Sequence, residues 1–130
     1  MPDGLSTNSE TILVVDDNEC VLQTGVSILK RAGFGVLSAD TGPSAIKLTE
    51  NMDTQIDLLL SDVDMPQMSG PDLGEAMKKG RPDMHVMLMS GGDNGNLLVL
   101  NYGWAYIQKP FVPTKLVEMI LSVLQKMSRP

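Results

Sequence analysis

Cysteine is all but absent. Cys20 is the single example in 130 residues, which excludes an internal disulfide and a zinc site built on cysteines. Histidine is as scarce: His85 stands alone, and one imidazole cannot build the usual histidine-rich metal site. Its place before an apolar run assigns it to a strand entrance instead. Positive charge is in deficit, with ten Lys and Arg against sixteen Asp and Glu and a net charge of −6. That disfavours nonspecific binding to nucleic acid and to anionic membranes. No apolar run approaches the length needed to span a bilayer. Residues 1–10 carry Asp3 and Glu10 around no apolar core, so they do not read as a signal peptide. No Gly-x-Gly-x-x-Gly follows the first apolar run, which removes a dinucleotide-binding domain. These absences point to a cytoplasmic protein without a membrane partner and without direct nucleic acid binding.

What is present fits one domain with one hydrophobic core: 42% hydrophobic and 20% charged residues over a length typical of single domains. Five apolar runs alternate with helical patterns. Thr11–Val15 is β-branched and reads as a first strand. A helix follows, with Asp17 or Asn18 as its N-cap and Val21, Leu22, Gly25, Val26 and Leu29 as its apolar stripe. Gly33 suits a left-handed stop. Gly35–Ala39 is a weaker second strand. Thr41-Gly42-Pro43 opens a second helix, with Ala45, Leu48, Thr49 and Met52 on one face. The third strand, 58–61, is continuously apolar up to Ser61, as expected for a strand buried on both faces of a parallel sheet. A third helix starts near Pro71, buries Leu73, Ala76 and Met77, and ends at Gly80. Strands over 86–89 and 104–108 follow, and Pro113 opens a final helix to about Lys126. That helix carries Leu116, Val117, Met119, Ile120, Val123 and Leu124, which read first as core. The alternation predicts an α/β fold: a doubly wound, five-stranded parallel sheet with helices on both faces. The expected boundaries are a tail at 1–10, one domain at 11–127 and a short tail at 128–130.

Parallel strands put all their carboxyl ends on one edge, and ligands bind there in open α/β sheets. This edge is to receive Asp16 and Asp17 from the first strand, Asp62 from the third, Ser90 from the fourth and Lys109 from the fifth. Singly, each has a plain structural reading as a cap, turn or solvated end. Together they form an acidic rim with one amine. Two carboxylates about 4 Å apart repel by roughly 4 kcal/mol at an effective dielectric near 20. A hard divalent ion such as Mg²⁺, which prefers oxygen ligands and phosphate, resolves that repulsion. Asp62 is then a candidate nucleophile toward a phosphoryl donor, with Mg²⁺ and Lys109 neutralising phosphoryl charge and Ser90 hydrogen-bonding another oxygen.

The motifs Val-Val-Asp-Asp-Asn at 14–18, Ser-Asp-Val-Asp-Met-Pro-Gln-Met-Ser-Gly at 61–70, Met-Ser-Gly at 89–91 and Tyr-Ile-Gln-Lys-Pro-Phe at 106–111 together resemble the receiver domain of two-component response regulators, a flavodoxin-like fold. The resemblance implies that Asp62 accepts a phosphoryl group from a sensor histidine kinase or a histidine phosphotransfer protein. It implies that Mg²⁺, with Mn²⁺ as a substitute, is held by the Asp17 and Asp62 side chains, the Asp64 backbone carbonyl and, through water, Asp16. Ser90 would be the switch hydroxyl and Tyr106 the switch aromatic. Lys109 would pair with the phosphoryl oxygens, and the Lys109–Pro110 bond would be cis. Such a domain catalyses only its own phosphorylation and dephosphorylation and signals to a downstream protein or effector domain.

The chain departs from the family pattern after Ser90. The interval to Lys109 is short and glycine-rich, leaving about 96–101 for a fourth helix of under two turns, marginal without tertiary packing. Residues 91–103 are therefore expected to be the least stable part of the domain. The main alternative is a phosphatase of the haloacid dehalogenase type, since Asp62-Val63-Asp64 is an Asp-x-Asp after a strand. Pro66 stands where that family wants Thr or Val, and the acid pair follows the third strand rather than the first.

Overall fold

The computed structural model describes residues 10–91 and 103–128. In order these form β1 (Thr11–Val15), α1 (Glu19–Arg31), β2 (Gly35–Ala39), α2 (Gly42–Thr49), β3 (Leu58–Asp62), α3 (Gly70–Gly80), β4 (His85–Ser90), β5 (Ala105–Gln108) and α4 (Pro113–Ser128). The expected short helix and the switch segment fall on 92–102, outside the described residues, as does most of the expected N-terminal tail.

All strand pairs are parallel, in the order β2-β1-β3-β4-β5. Side chains alternate across the sheet, so each inner strand feeds two cores. Ile12, Val14, Leu58, Leu60, Met87 and Met89 pack with Leu22 and Leu29 of α1 and Leu116 and Ile120 of α4. Leu13, Val15, Leu59, Val86 and Leu88 pack on the other face with Ala45 of α2 and Leu73 and Met77 of α3. That two-sided demand is why residues 58–60 are unbroken leucine.

The helices start on side-chain caps: the side chains of Asn18, Thr41 and Ser69 accept from the backbone N–H of Val21, Ser44 and Asp72 at 3.1, 3.1 and 3.2 Å. Each satisfies a donor that the first turn leaves without an intrahelical partner. Gly33 takes a φ of 97° where α1 turns into β2, a conformation glycine adopts without steric cost. His85 opens β4, and burial, with the Lys78 ammonium adding to it, holds the imidazole below its ordinary pKa.

The second helix departs from the expected pattern. Ala45 and Thr49 are buried, but Leu48 is 42% exposed, and Ile46 packs against the core instead. Met52 lies beyond the helix, which ends at Thr49. The end of the helix is held by a tertiary contact. The Arg81 guanidinium, from the end of α3, donates to the carbonyls of Thr49, Met52 and Thr54 at 3.1, 3.4 and 2.9 Å. It thereby closes the chain leaving α2 into a turn. On α4 the core reading holds: Leu116 and Ile120 are fully buried, and Val117, Met119, Val123 and Leu124 pack around them.

Candidate functional site

β1 and β3 are adjacent, so their carboxyl ends lie side by side. Asp16 follows β1 directly and is fully buried. Its backbone N–H donates to the Ala39 carbonyl at 3.3 Å, extending the ladder to β2. One carboxylate oxygen accepts from the Asn18 N–H at 2.9 Å, a short-range turn that leads the chain into α1. Asp17 is exposed. Asp62 is the last residue of β3 rather than the first of the loop, and is 7% exposed. Asp16, Asp17 and Asp62 each present a carboxylate oxygen, all within 4.8 Å of one another.

Lys109 reaches this group from beyond β5. Its ammonium lies 3.0 Å from Asp62 Oδ1 and 3.3 Å from Asp16 Oδ2. Its own N–H donates to the Ser90 carbonyl at 2.8 Å, which ties it to the end of β4. Ser90 is buried at that end, opposite Gln108. The Lys109–Pro110 bond is cis. Tyr106 stands in β5 opposite Leu88 and is half-buried. Asp64 is exposed in the loop after β3, outside the three-carboxylate group. The carboxyl edge thus gathers Asp16, Asp17, Asp62 and Lys109 directly, with Ser90 joined through its backbone.

Two residues here carry no chemical signal in the sequence. Ser61 is fully buried, and its hydroxyl donates to the Asp62 carbonyl at 2.9 Å. Gly70 opens α3 so close to that carbonyl that a Cβ on it would sit 2.2 Å from the oxygen. A serine ending a leucine run and a glycine closing the following loop were the available hints.

Among the described residues, three carboxylates gather where one ammonium, that of Lys109, reaches two of them, Asp62 and Asp16. Burial raises the Asp62 pKa above the ordinary aspartate value. The Lys109 hydrogen bond works against this, and the Asp16 and Asp17 charges reinforce it. Burial alone would lower the Lys109 pKa, but Asp62 and Asp16 together outweigh it and raise the value, so the ammonium stays charged. The lysine is held by its neighbours while Asp62 remains short of positive charge.

This predicts a pH signature. A carboxyl whose folded pKa is raised binds protons more tightly when folded, so its ionisation opposes folding. The penalty is complete above the raised value and gone below the ordinary aspartate value. Asp62→Asn is therefore expected to raise the melting temperature of the metal-free protein at neutral pH, with the gain fading as pH falls through that window. Thermal denaturation in a chelator across pH checks this; an Asn variant less stable than wild type at neutral pH would mean that the Lys109 pair outweighs burial and repulsion.

The cluster's chemistry also fits a hard cation. Every donor is a carboxylate oxygen, the set that Mg²⁺ prefers and that suits softer metals poorly.

A family profile described as "response regulator receiver domain" matches residues 12–121. The chain is 30% identical over 123 residues to the sensor kinase CckA of Brucella abortus, covering 92% of this chain and 13% of that protein. It is 27% identical over 118 residues to the cell cycle transcriptional regulator CtrA of Caulobacter vibrioides, covering 88% and 50%. The chain therefore spans half or less of these relatives. Among solved structures, a CheY-like response regulator receiver domain protein from Methanospirillum hungatei superposes with a TM-score of 0.82 at 32% identity, over 93% of this chain and 98% of that one. A response regulator receiver domain protein from Clostridium thermocellum gives 0.78 at 30% identity, over 92% and 97%.

Proposed function

The chain belongs to the response regulator receiver domain family, and from that premise we propose that it accepts a phosphoryl group on Asp62 from a histidine kinase or a histidine phosphotransfer protein and signals to a downstream partner. The observation that carries this is the pairing of a buried, charge-deficient Asp62 with Lys109 at 3.0 Å beside Asp16 and Asp17.

An Asp62 carboxylate oxygen attacks the phosphorus of the donor. The bond from phosphorus to the donor's imidazole nitrogen breaks, its electron pair leaves with the imidazole, and Asp62 becomes an acyl phosphate. Asp17, Asp62 and the Asp64 carbonyl would hold Mg²⁺ or Mn²⁺, with Asp16 acting through water; when bound, the ion neutralises charge on the phosphoryl oxygens. Lys109 pairs with a phosphoryl oxygen from its place against Asp62. Ser90 and Tyr106 carry the change outward, the hydroxyl by bonding the phosphoryl group and the ring by changing rotamer. The haloacid dehalogenase reading finds no support: the family match is to receivers, and Asp62 ends β3.

Incubation with Mg²⁺ and acetyl phosphate is expected to raise the intact mass by one phosphoryl group, and Asp62→Asn to abolish the rise. Undiminished labelling of the variant would remove Asp62 as the acceptor.

A further inference from the structure

Ser61 is the single polar residue among the first four of β3, and the function proposed above makes no use of it. Neighbouring strand residues face opposite sides of the sheet. Ser61 lies on the side of Leu59, under the start of α3, while Asp62 points toward the carboxylate cluster. The Ser61 hydroxyl is fully buried and donates to the Asp62 carbonyl at 2.9 Å. The same peptide is pinned on its other side by the Val63 N–H, which donates to the Met89 carbonyl, and the next peptide by the Gly70 N–H donating to the Val63 carbonyl, both at 2.9 Å. Gly70 closes over the Asp62 carbonyl, so the Ser61 hydroxyl supplies a partner where water has little room. A buried carbonyl that loses its partner costs about 1–3 kcal/mol. Relieving that cost takes a small tilt of the 62–63 peptide, opposed by its own Val63 N–H bond to Met89. The tilt turns about bonds that carry the Asp62 side chain on one side and the backbone leading to Asp64 on the other.

We infer that Ser61 is a positioning residue: through the Asp62 carbonyl it sets the spacing between the Asp62 carboxylate and the Asp64 backbone carbonyl, and hence the fit of the site to Mg²⁺. This rests on the proposed function, which makes both groups ligands.

The test compares wild type with Ser61→Ala and Ser61→Cys. Cysteine fills the space but donates hydrogen bonds weakly, so it separates the bond from the packing. Mg²⁺ affinity is measured by calorimetry, and labelling by acetyl phosphate is measured as a function of Mg²⁺. Both variants are expected to bind Mg²⁺ about tenfold more weakly, the lower end of the range for groups that orient metal ligands. Their labelling should fall most at low Mg²⁺ and recover in part as Mg²⁺ is raised to saturation. Unchanged Mg²⁺ affinity in Ser61→Ala overturns the inference. So does a cysteine variant that keeps wild-type affinity while alanine loses it, since packing would then be the cause. If wild type binds Mg²⁺ but takes no phosphoryl group, the functional reading fails while calorimetry still decides the role of Ser61.

Discussion

The Lys109→Ala variant is expected to lose about 2 kcal/mol of metal-free stability at neutral pH and to accept phosphoryl groups at least about a hundredfold more slowly. The stability loss follows from what the ammonium leaves behind. Asp16 is fully buried and Asp62 nearly so, and both face Lys109 within 3.3 Å. Removing one partner of a buried pair costs about 3–5 kcal/mol when both are fully desolvated. The Lys109 side chain is 20% exposed, so solvent screens part of that loss and the lower figure applies. The pH dependence has a definite sign. The raised pKa of Lys109 means its contribution is complete below the ordinary lysine value, and so at neutral pH. The gap between variant and wild type should narrow on acidification, because Asp62 then takes up a proton and no longer needs the ammonium. Saturating Mg²⁺ should narrow it too, by supplying positive charge to the same oxygens. The rate loss is separate and should persist in Mg²⁺, since the ammonium is placed to meet phosphoryl charge. Thermal denaturation with and without Mg²⁺, alongside intact-mass kinetics, reads both effects. Normal labelling in a destabilised variant would restrict Lys109 to charge balance.

Gly70→Ala is expected to cost about 3 kcal/mol, the upper part of the range for overpacking, and to impair labelling even where the protein remains folded. The new Cβ would lie 2.2 Å from the Asp62 carbonyl oxygen, 3.0 Å from its carbon and 3.2 Å from Ser61 Oγ. The first two are backbone atoms, so no rotamer change relieves the clash. Either α3 lifts from the sheet or the end of β3 shifts, and the second route moves the acceptor carboxylate. Gly80→Ala is the control: it lies in the same helix with nothing within 4 Å of an added Cβ. Alanine there should be neutral or stabilising by up to about 1 kcal/mol. Urea denaturation of the two variants checks the contrast; equal stabilities would mean that the loop after β3 yields easily and does not hold Asp62 in place.

The sequence by itself determined the elements and the residues at the carboxyl edge. β1 and β3 are short β-branched and leucine runs that stop at a polar residue, and each described loop-to-helix step before α4 carries a capping side chain. These are local signals, legible because side-chain periodicity reports which face leaves water. The family motifs sharpened the list: Asp16 and Ser90 directly follow apolar runs, Asp62 follows the leucine run and Ser61, and Asp17 and Lys109 come one polar residue after theirs. Tertiary structure alone decided how these groups meet. The order β2-β1-β3-β4-β5 sets β1 beside β3, bringing Asp16 and Asp17 up to Asp62. It also lets Lys109 bridge Asp62 and an Asp16 lying 93 residues earlier in the chain. Nothing in the apolar pattern specifies strand order, because each inner strand is hydrophobic on both faces. The same limit hid the Ser61 hydroxyl, the close approach of Gly70 and the exposure of Leu48. Burial pattern tells which residues leave water; which atom arrives to meet them depends on neighbours distant in the chain, such as Arg81 closing the turn after α2.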